Sequence, residues 1–229
     1  MQQYKDKVRQ ATIAFTSNYL IDIAHDIHHL DRVCNNALFI NDVENCNNDV
    51  EIIILSSYIH DFHRLCENTH TDSKFKKVED SHQVIFDFFS INPTYKDYSD
   101  KVISIVSATD KYTFSDKDKA IDNVDILSKI LYDADNLDAL GAIGIARAFS
   151  FGQWINEPLY NPNFPLVDKE FLHTEKTHSV LHHFYEKLFK LENEFYTNTG
   201  KKLAKERSEF TKNFITTFLK ELENETREY

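Results

Sequence analysis

Apolar side chains recur along this chain at helical spacing, and polar stretches separate the apolar segments. Residues three or four positions apart share one face of a helix, so such a repeat buries one face and leaves the other in water. The pattern predicts helices over about 8–19, 30–41, 78–90 and 97–109, helical periodicity over 126–147, and two long helices within about 174–229, broken at 197–200. Polar or proline-containing segments predict loops over 41–49, 64–77, 113–125 and 151–168. Gly200, at the last break, suits a left-handed helix C-cap.

The segment from Val50 to Ile59 carries no such periodicity. It is nearly all apolar, with three isoleucines and a leucine in succession at 52–55. β-Branched residues favour strands, and a short apolar run fits either a buried strand or a buried helix. The pattern of this segment leaves both open.

Composition favours helices for the rest of the chain. Four glycines and four prolines in 229 residues are too few for the many tight turns of a sandwich or barrel. A chain of this length can bury a large core in one domain, or at most two. Because no repeat or low-complexity linker divides it, we predict one all-α domain.

The net charge of the chain restricts its partners. It is −11, from 37 acidic and 26 basic side chains, which disfavours extended contact with a nucleic-acid backbone. A small phosphorylated substrate remains compatible with this charge, because a metal ion and a few local cations outweigh the global field.

Cysteine usage and hydropathy indicate a compartment. Cys34, Cys46 and Cys66 are scattered and lack metal-site spacing, as expected of reduced thiols. No apolar run approaches the roughly 18 residues that a membrane span needs. We expect a cytoplasmic protein without a membrane partner, as a monomer or homodimer.

Three short strings, at 25–33, 55–61 and 133–139, place histidine and aspartate in helical contexts. The residues that could face one common point are His29, the pair His60-Asp61, and Asp135. Imidazole nitrogens and carboxylate oxygens together bind divalent ions of intermediate hardness. The strings therefore indicate a metal-dependent hydrolase.

The order of these strings resembles the HD-domain phosphohydrolase superfamily: an H-x-x-R-V string, an apolar run into His-Asp, and a late Asp-Ala-Asp-x-Leu-Asp-Ala string. The segments 140–147 and 183–188 resemble the small stand-alone group typified by the bacterial YpgQ and YedJ proteins. The similarity covers nearly the whole chain. It implies one HD-domain helical array over 1–229, with a core at about 20–150 and C-terminal helices at about 174–225 packed on it.

The same resemblance implies that Val50–Ile59 is a buried helix and that one divalent ion binds next to it. The implied ligands are His29, His60, Asp61 and Asp135. This ligand set suits Mn, Ni, Co, Fe, Zn or Mg, and the sequence does not choose among them.

Further roles follow from the resemblance. Asp61 and Asp138 are the candidate catalytic carboxylates, although support of the metal ligands or helix capping fits Asp138 equally well. The candidate substrate-binding residues are Arg147, Lys187, Arg32 and His25. Arg32 shares a helix face with His29, and a salt bridge explains it as well as substrate contact does.

The implied substrates are nucleotides, with nucleoside or deoxynucleoside triphosphates cleaved to monophosphate and pyrophosphate. Alternatives are a nucleotide phosphatase and a phosphodiesterase for cyclic or signalling nucleotides. A di-iron oxygenase is disfavoured because no histidine occurs from Gln83 through Leu172, and a non-catalytic nucleotide-binding fold because all four ligands are present. Related sequences often have aspartate where this chain has Arg64, so that position receives no catalytic role.

Overall fold

The computed structural model describes residues 1–67, 82–110, 124–167 and 177–222. It consists of helices and connecting loops, and no strand occurs in these ranges, which confirms the all-α prediction. The chain forms two compact units, Met1–Asp135 and Asn136–Tyr229. This division does not test the single-domain organisation, which stays a prediction.

The first unit contains seven of the described helices, the last of which continues into the second unit. They are α1 Gln2–Thr16, α2 Ile27–Val43, α3 Val50–Ile59, α4 Phe62–Glu67, α5 His82–Ile91, α6 Ser99–Asp110 and α7 Ile126–Asp138, with a 3-10 turn at Pro93–Tyr98. The predicted helices at 8–19, 30–41, 78–90 and 97–109 correspond to α1, α2, α5 and α6. Their true ends differ by several residues, and 78–81 lie outside the described ranges.

Helix α3 lies at the centre of this unit. It packs against α1, α2 and α6, and every residue from Ile53 to Ile59 is buried. A helix covered on all sides needs no polar face, which explains the absence of periodicity in its sequence. The Asp49 side chain caps its first turn by accepting from the Glu51 N–H at 2.9 Å. The buried-helix prediction is confirmed.

A polar cluster ties α1, α2 and α3 together. Arg9 Nε donates to both carboxylate oxygens of Asp31 at 2.9 Å, and the Tyr58 hydroxyl donates to the same carboxylate at 2.6 Å. Asp31 is thus satisfied by two donors from two neighbouring helices. Since Asp31 lies two residues after His29, the cluster fixes the part of α2 that carries a candidate ligand.

An aromatic cluster fixes the start of α4. The Phe62 ring stacks on Phe15 at 5.3 Å and meets Phe88 edge to face at 5.5 Å. Phe62 and Phe88 are almost fully buried. Because Phe62 follows Asp61 directly, this packing holds the backbone at a second candidate ligand.

The second unit begins within α7 and continues through α8 Gly141–Trp154, α9 Val180–Glu186, a 3-10 turn at Leu188–Asn193 and α10 Asn198–Leu222. The prediction of two long C-terminal helices is wrong, because the first is short and ends at Glu186. The predicted role of Gly200 is also wrong. Its N–H lies in the first turn of α10 and donates to Thr197 Oγ1 at 2.9 Å, so this segment starts a helix and does not end one.

Two predicted loops also differ. Helix α4 contains the first part of 64–77, whose remainder lies outside the described residues, as does 113–123. The loop predicted at 151–168 starts only after Trp154, where α8 ends. Among the described helices, none has both the length and the apolarity for crossing a membrane.

Candidate metal centre

His29 reaches the centre from the first turn of α2. The Asp26 carboxylate caps this helix by accepting from the N–H groups of His28 and His29 at 2.9 and 3.1 Å. The His29 side chain is fully buried. The cap therefore fixes the backbone that carries a histidine enclosed by the first unit.

His60 and Asp61 lie at the junction where α3 ends and α4 begins. Neighbours in a continuous helix point about 100° apart and would not easily share one ion. At this junction the chain leaves α3 after Ile59, and both side chains turn towards His29. His60 Nδ1 lies 2.8 Å from the Ser57 carbonyl oxygen, which can only accept. Nδ1 therefore carries a proton, and Nε2 is the ring atom that faces the carboxylates and could bind an ion.

The two imidazoles converge with one oxygen from each of two carboxylates. Asp61 Oδ2 lies 3.3 Å from His29 Nε2 and 3.6 Å from His60 Nε2. Asp135 Oδ1, from α7, lies 3.5 and 3.6 Å from the same two nitrogens. The structure thus brings together all four residues that the sequence identified as ligands.

These separations fit a shared metal ion. Ligands bonded at about 2.1 Å to one ion lie about 3.0 to 3.5 Å apart in octahedral or tetrahedral geometry. His60 Nε2 and Asp61 Oδ2 are buried and have no hydrogen-bond partner among the residues that the structure describes. Such orphaned atoms are costly unless an ion satisfies them. His29, His60 and Asp61 form a group whose donor atoms could hold one.

The charges of the cluster also suit a cation. Burial lowers the pKa of His60, but the charges of Asp61 and Asp135 outweigh it and raise that pKa to about 9. Burial raises the pKa of Asp61 and Asp135, but the two histidines hold both values below the usual range. Both carboxylates are therefore charged at neutral pH. The Asp135 side chain is 42% exposed, against 13% for Asp61, so the cluster opens to solvent on the Asp135 side.

Sequence reasoning missed Asp22, which holds His25. Both Asp22 oxygens lie 2.9 Å from His25 Nδ1, and one also accepts from the Ala24 N–H at 2.9 Å. The His25 ring meets His29 edge to face with centroids 5.9 Å apart. Burial, followed by the charge of Arg64, lowers the pKa of His25 to about 4. The Asp-x-x-His spacing before α2 was the available signal for this pair.

The other predicted residues have different surroundings. In the second unit, the buried Asp138 carboxylate lies 3.3 Å from Arg147 Nη1, and Lys187 lies half-buried at the end of α9. In the first unit, Arg32 is half-buried on α2. Their roles towards substrate stay predictions.

Comparison with known proteins agrees with this geometry. No protein-family model matches the chain. It is 32% identical over 202 residues to the uncharacterized protein YpgQ of Bacillus subtilis, covering 88% of this chain and 84% of YpgQ. The crystal structure of B. subtilis YpgQ in complex with ADP is similar with a TM-score of 0.65 and 26% identity, over 96% of this chain and 95% of that one.

A second solved structure also relates the chain to the HD superfamily. The crystal structure of an HD-superfamily hydrolase from Bacillus thuringiensis is similar with a TM-score of 0.66 and 27% identity, over 97% of this chain and 98% of that one. The resemblance seen in the sequence strings is confirmed. The chain therefore belongs to the YpgQ group of the HD superfamily, and it is a metal-dependent hydrolase.

Proposed function

We propose that this hydrolase cleaves nucleoside or deoxynucleoside triphosphates to the monophosphate and pyrophosphate. The observation that carries the proposal is the four-donor cluster, whose Asp135 side is open to solvent. Support for a nucleotide comes from YpgQ, which binds ADP in its crystal structure. One divalent ion bound by His29, His60, Asp61 and Asp135 completes the proposed centre.

The reaction adds water across one phosphoanhydride bond. A water oxygen bonds to the α-phosphorus, the bond to the bridging oxygen breaks, and pyrophosphate leaves while the water releases a proton. A divalent ion in this cluster lowers the pKa of a water molecule and withdraws charge from a phosphoryl oxygen. Asp61 and Asp135, both ionised, would hold that ion together with His29 and His60.

His25 and Asp22 complete the proposed site in the first unit. A carboxylate only accepts, so the proton of His25 lies on Nδ1 and the ring is held by Asp22. The ring is therefore oriented before substrate arrives. We propose that His25 contacts the substrate from this position, next to His29.

Three basic residues are proposed to contact the substrate phosphates, and their surroundings in the structure differ. Arg147 already contacts Asp138, so part of its charge is compensated. Lys187 and Arg32 are each half-buried. We propose that Asp138 acts by holding Arg147, and its predicted catalytic role is tested by Asp138→Asn. That variant should keep its metal and lose about 10- to 100-fold in activity.

A product assay tests the proposal directly. The purified protein is loaded with Mn, Co, Ni, Zn or Mg and given nucleoside tri-, di- and monophosphates and cyclic nucleotides, with pyrophosphate resolved from orthophosphate. Hydrolysis in oxygen-18 water then locates the attacked phosphorus. Label in the monophosphate supports attack at the α-phosphorus.

Other products would overturn the specific reaction. Orthophosphate release indicates a phosphatase, and opening of a cyclic nucleotide indicates a phosphodiesterase. His60→Ala and Asp61→Ala should lose both metal and hydrolysis, because each variant removes one of the four converging donor atoms. His63→Ala is the matched control: its Nε2 lies 3.9 Å from the other Asp61 oxygen, so metal content should persist with at most about 10-fold lower activity.

A further inference from the structure

Arg207 differs from the other basic residues near it on α10. Lys201, Lys202 and Lys205 are exposed, whereas Arg207 is half-buried. Its Nη1 donates to the Leu137 carbonyl oxygen at 2.5 Å, across 70 positions of sequence. Arg207 is therefore not part of the solvent-exposed basic face that the three lysines form.

The carbonyl that Arg207 binds lies at the end of α7. The last four carbonyls of a helix have no partner within it, and a cation beside them is also favoured by the helix dipole. Leu137 precedes Asp138, the final residue of α7. The same carbonyl also accepts from the Leu140 N–H at 3.3 Å, so Arg207 adds a second, charged C-terminal cap from a distant helix.

Two more contacts hold the same turn. The Gly141 N–H donates to Thr211 Oγ1 at 2.9 Å, and Thr211 Oγ1 donates to the Arg207 carbonyl oxygen at 2.9 Å. Gly141 has a φ of +71°, and a Cβ there would lie 3.3 Å from Cβ and Cγ of Arg207. Glycine therefore provides both the left-handed conformation and the space for the arginine stem.

The Asp138 carboxylate supplies the opposite charge. It is buried, it lies 3.3 Å from Arg147 Nη1, and its charge also acts on Arg207. Two arginines therefore interact with one buried carboxylate. We call Leu137, Asp138, Gly141, Arg207 and Thr211 the α7 clamp.

The ligand on α7 depends on its helix more than the others do. Asp135 is 42% exposed, whereas the other three side chains are at most 13% exposed. Its carboxylate lies 3.5 and 3.6 Å from His29 and His60 Nε2, and its position also follows the backbone of α7. Asp135 lies one helical turn before Asp138. Because Asp135 and the residues of the clamp on α7 share one helix, loosening of the last turn of α7 would also move the Asp135 backbone.

We propose that Arg207 is a positioning residue for the metal centre, acting through the α7 clamp on Asp135. The inference rests on the proposed metal ligands. Without the Arg207 donor, the Leu137 carbonyl keeps only the longer bond from the Leu140 N–H, and the last turn of α7 loosens. The Asp135 carboxylate then samples more positions, and a ligand held less well binds the ion less tightly.

The test measures metal affinity in variants of the full chain. Arg207→Met keeps the aliphatic stem over Gly141 and removes the donor, and it should weaken Mn²⁺ or Co²⁺ binding about 10-fold or more. The visible spectrum of the Co²⁺ form should change as well. Arg207→Lys retains a charge beside Asp138 and should recover part of the affinity.

Three controls distinguish an effect on the position of Asp135 from a general loss of stability and from a wrong assignment of the metal centre. Leu191→Ala removes a buried side chain elsewhere in the second unit, so it should lower the Tm without changing metal affinity. Lys205→Met should change neither. Asp135→Ala should abolish tight binding, and adding Arg207→Met to it should cause no further loss.

The outcomes are distinguishable. If Asp135→Ala binds metal as the wild type does, the proposed centre is wrong. If Asp135→Ala loses metal while Arg207→Met retains wild-type affinity and spectrum, the centre stands and the inference is overturned. Should Arg207→Met not fold, Arg207→Lys and Thr211→Val decide: wild-type affinity in both contradicts the inference, and weakened affinity in both supports it.

Discussion

The protonation of single histidines decides what this site can bind. Ser57 and Asp22 accept from the Nδ1 atoms of His60 and His25, so each ring is held in one orientation by a group that cannot donate. For His60 the remaining nitrogen faces two carboxylates, and its pKa is raised to about 9. In the metal-free protein this nitrogen therefore holds a proton at neutral pH, and an ion must displace it.

Metal affinity should consequently depend on pH. The folded pKa of His60, about 9, exceeds its ordinary 6.5, so protonated His60 stabilises the metal-free fold fully below pH 6.5. That contribution is lost as the pH rises through 9. Apparent Mn²⁺ affinity should rise by up to about tenfold per pH unit between 7 and 9. A competition titration at several pH values measures this, and constant affinity across the range would contradict it.

The Asp22–His25 pair should behave as one functional unit. Removing the acceptor in Asp22→Ala frees the ring to rotate, so kcat/KM should fall about 10- to 100-fold with metal content retained. Asp22→Asn keeps an acceptor oxygen and should restore most activity. The double variant with His25→Ala should be no worse than His25→Ala alone. Losses that multiply in the double variant would show that the two residues act independently.

At the scale of secondary-structure elements, the candidate metal ligands lie at or near helix ends. Asp26 caps α2 just before His29, α3 stops just before His60, and α7 ends one turn after Asp135. Each of the four candidate ligands therefore lies within about one turn of a helix end. A one-residue shift of any end would move a ligand.

These ends also show how far the sequence predicts the structure. The order of the strings predicted that the four candidate ligands share one site, because it resembles the order in a known family, and the four side chains do converge. The α7–α8 break was not predicted, because it depends on the positive φ of Gly141 and on Arg207, 70 residues after Leu137. Local pattern carries no information about a cap supplied from so far away.

The start of α10 gives a testable case. Gly200 suggested a helix end, but the Thr197 hydroxyl accepts its N–H and starts the helix. Thr197→Ala should lower the free energy of unfolding by about 1 kcal/mol. Thr217→Ala, an exposed threonine later in α10, is the matched control and should change it by less than about 0.5 kcal/mol. Chemical denaturation of both variants measures the difference, and equal effects would refute the capping role.

At the scale of the whole molecule, charge separates the acceptable partners from the excluded ones. The net charge of −11 repels any polyanion at long range, and only a local site with an ion compensates it. The proposed substrate, a nucleoside triphosphate, would present only a few charges to that site. A polynucleotide presents many charges, and the excess of 37 acidic over 26 basic side chains disfavours extended contact with it.

Salt should therefore act on this enzyme in the direction opposite to that seen with nucleic-acid-binding proteins. Raising KCl from about 10 to about 150 mM shortens the Debye length from about 30 to about 8 Å and screens the repulsion of the approaching triphosphate. We expect kcat/KM for a triphosphate to rise severalfold over this range, and to rise less for a monophosphate ester. A single-stranded oligonucleotide should not inhibit at either salt concentration. Steady-state kinetics at both salt concentrations measures these effects. A steep fall in kcat/KM with salt, together with oligonucleotide inhibition at low salt, would contradict the prediction. That result would mean that a cationic surface outweighs the acidic composition.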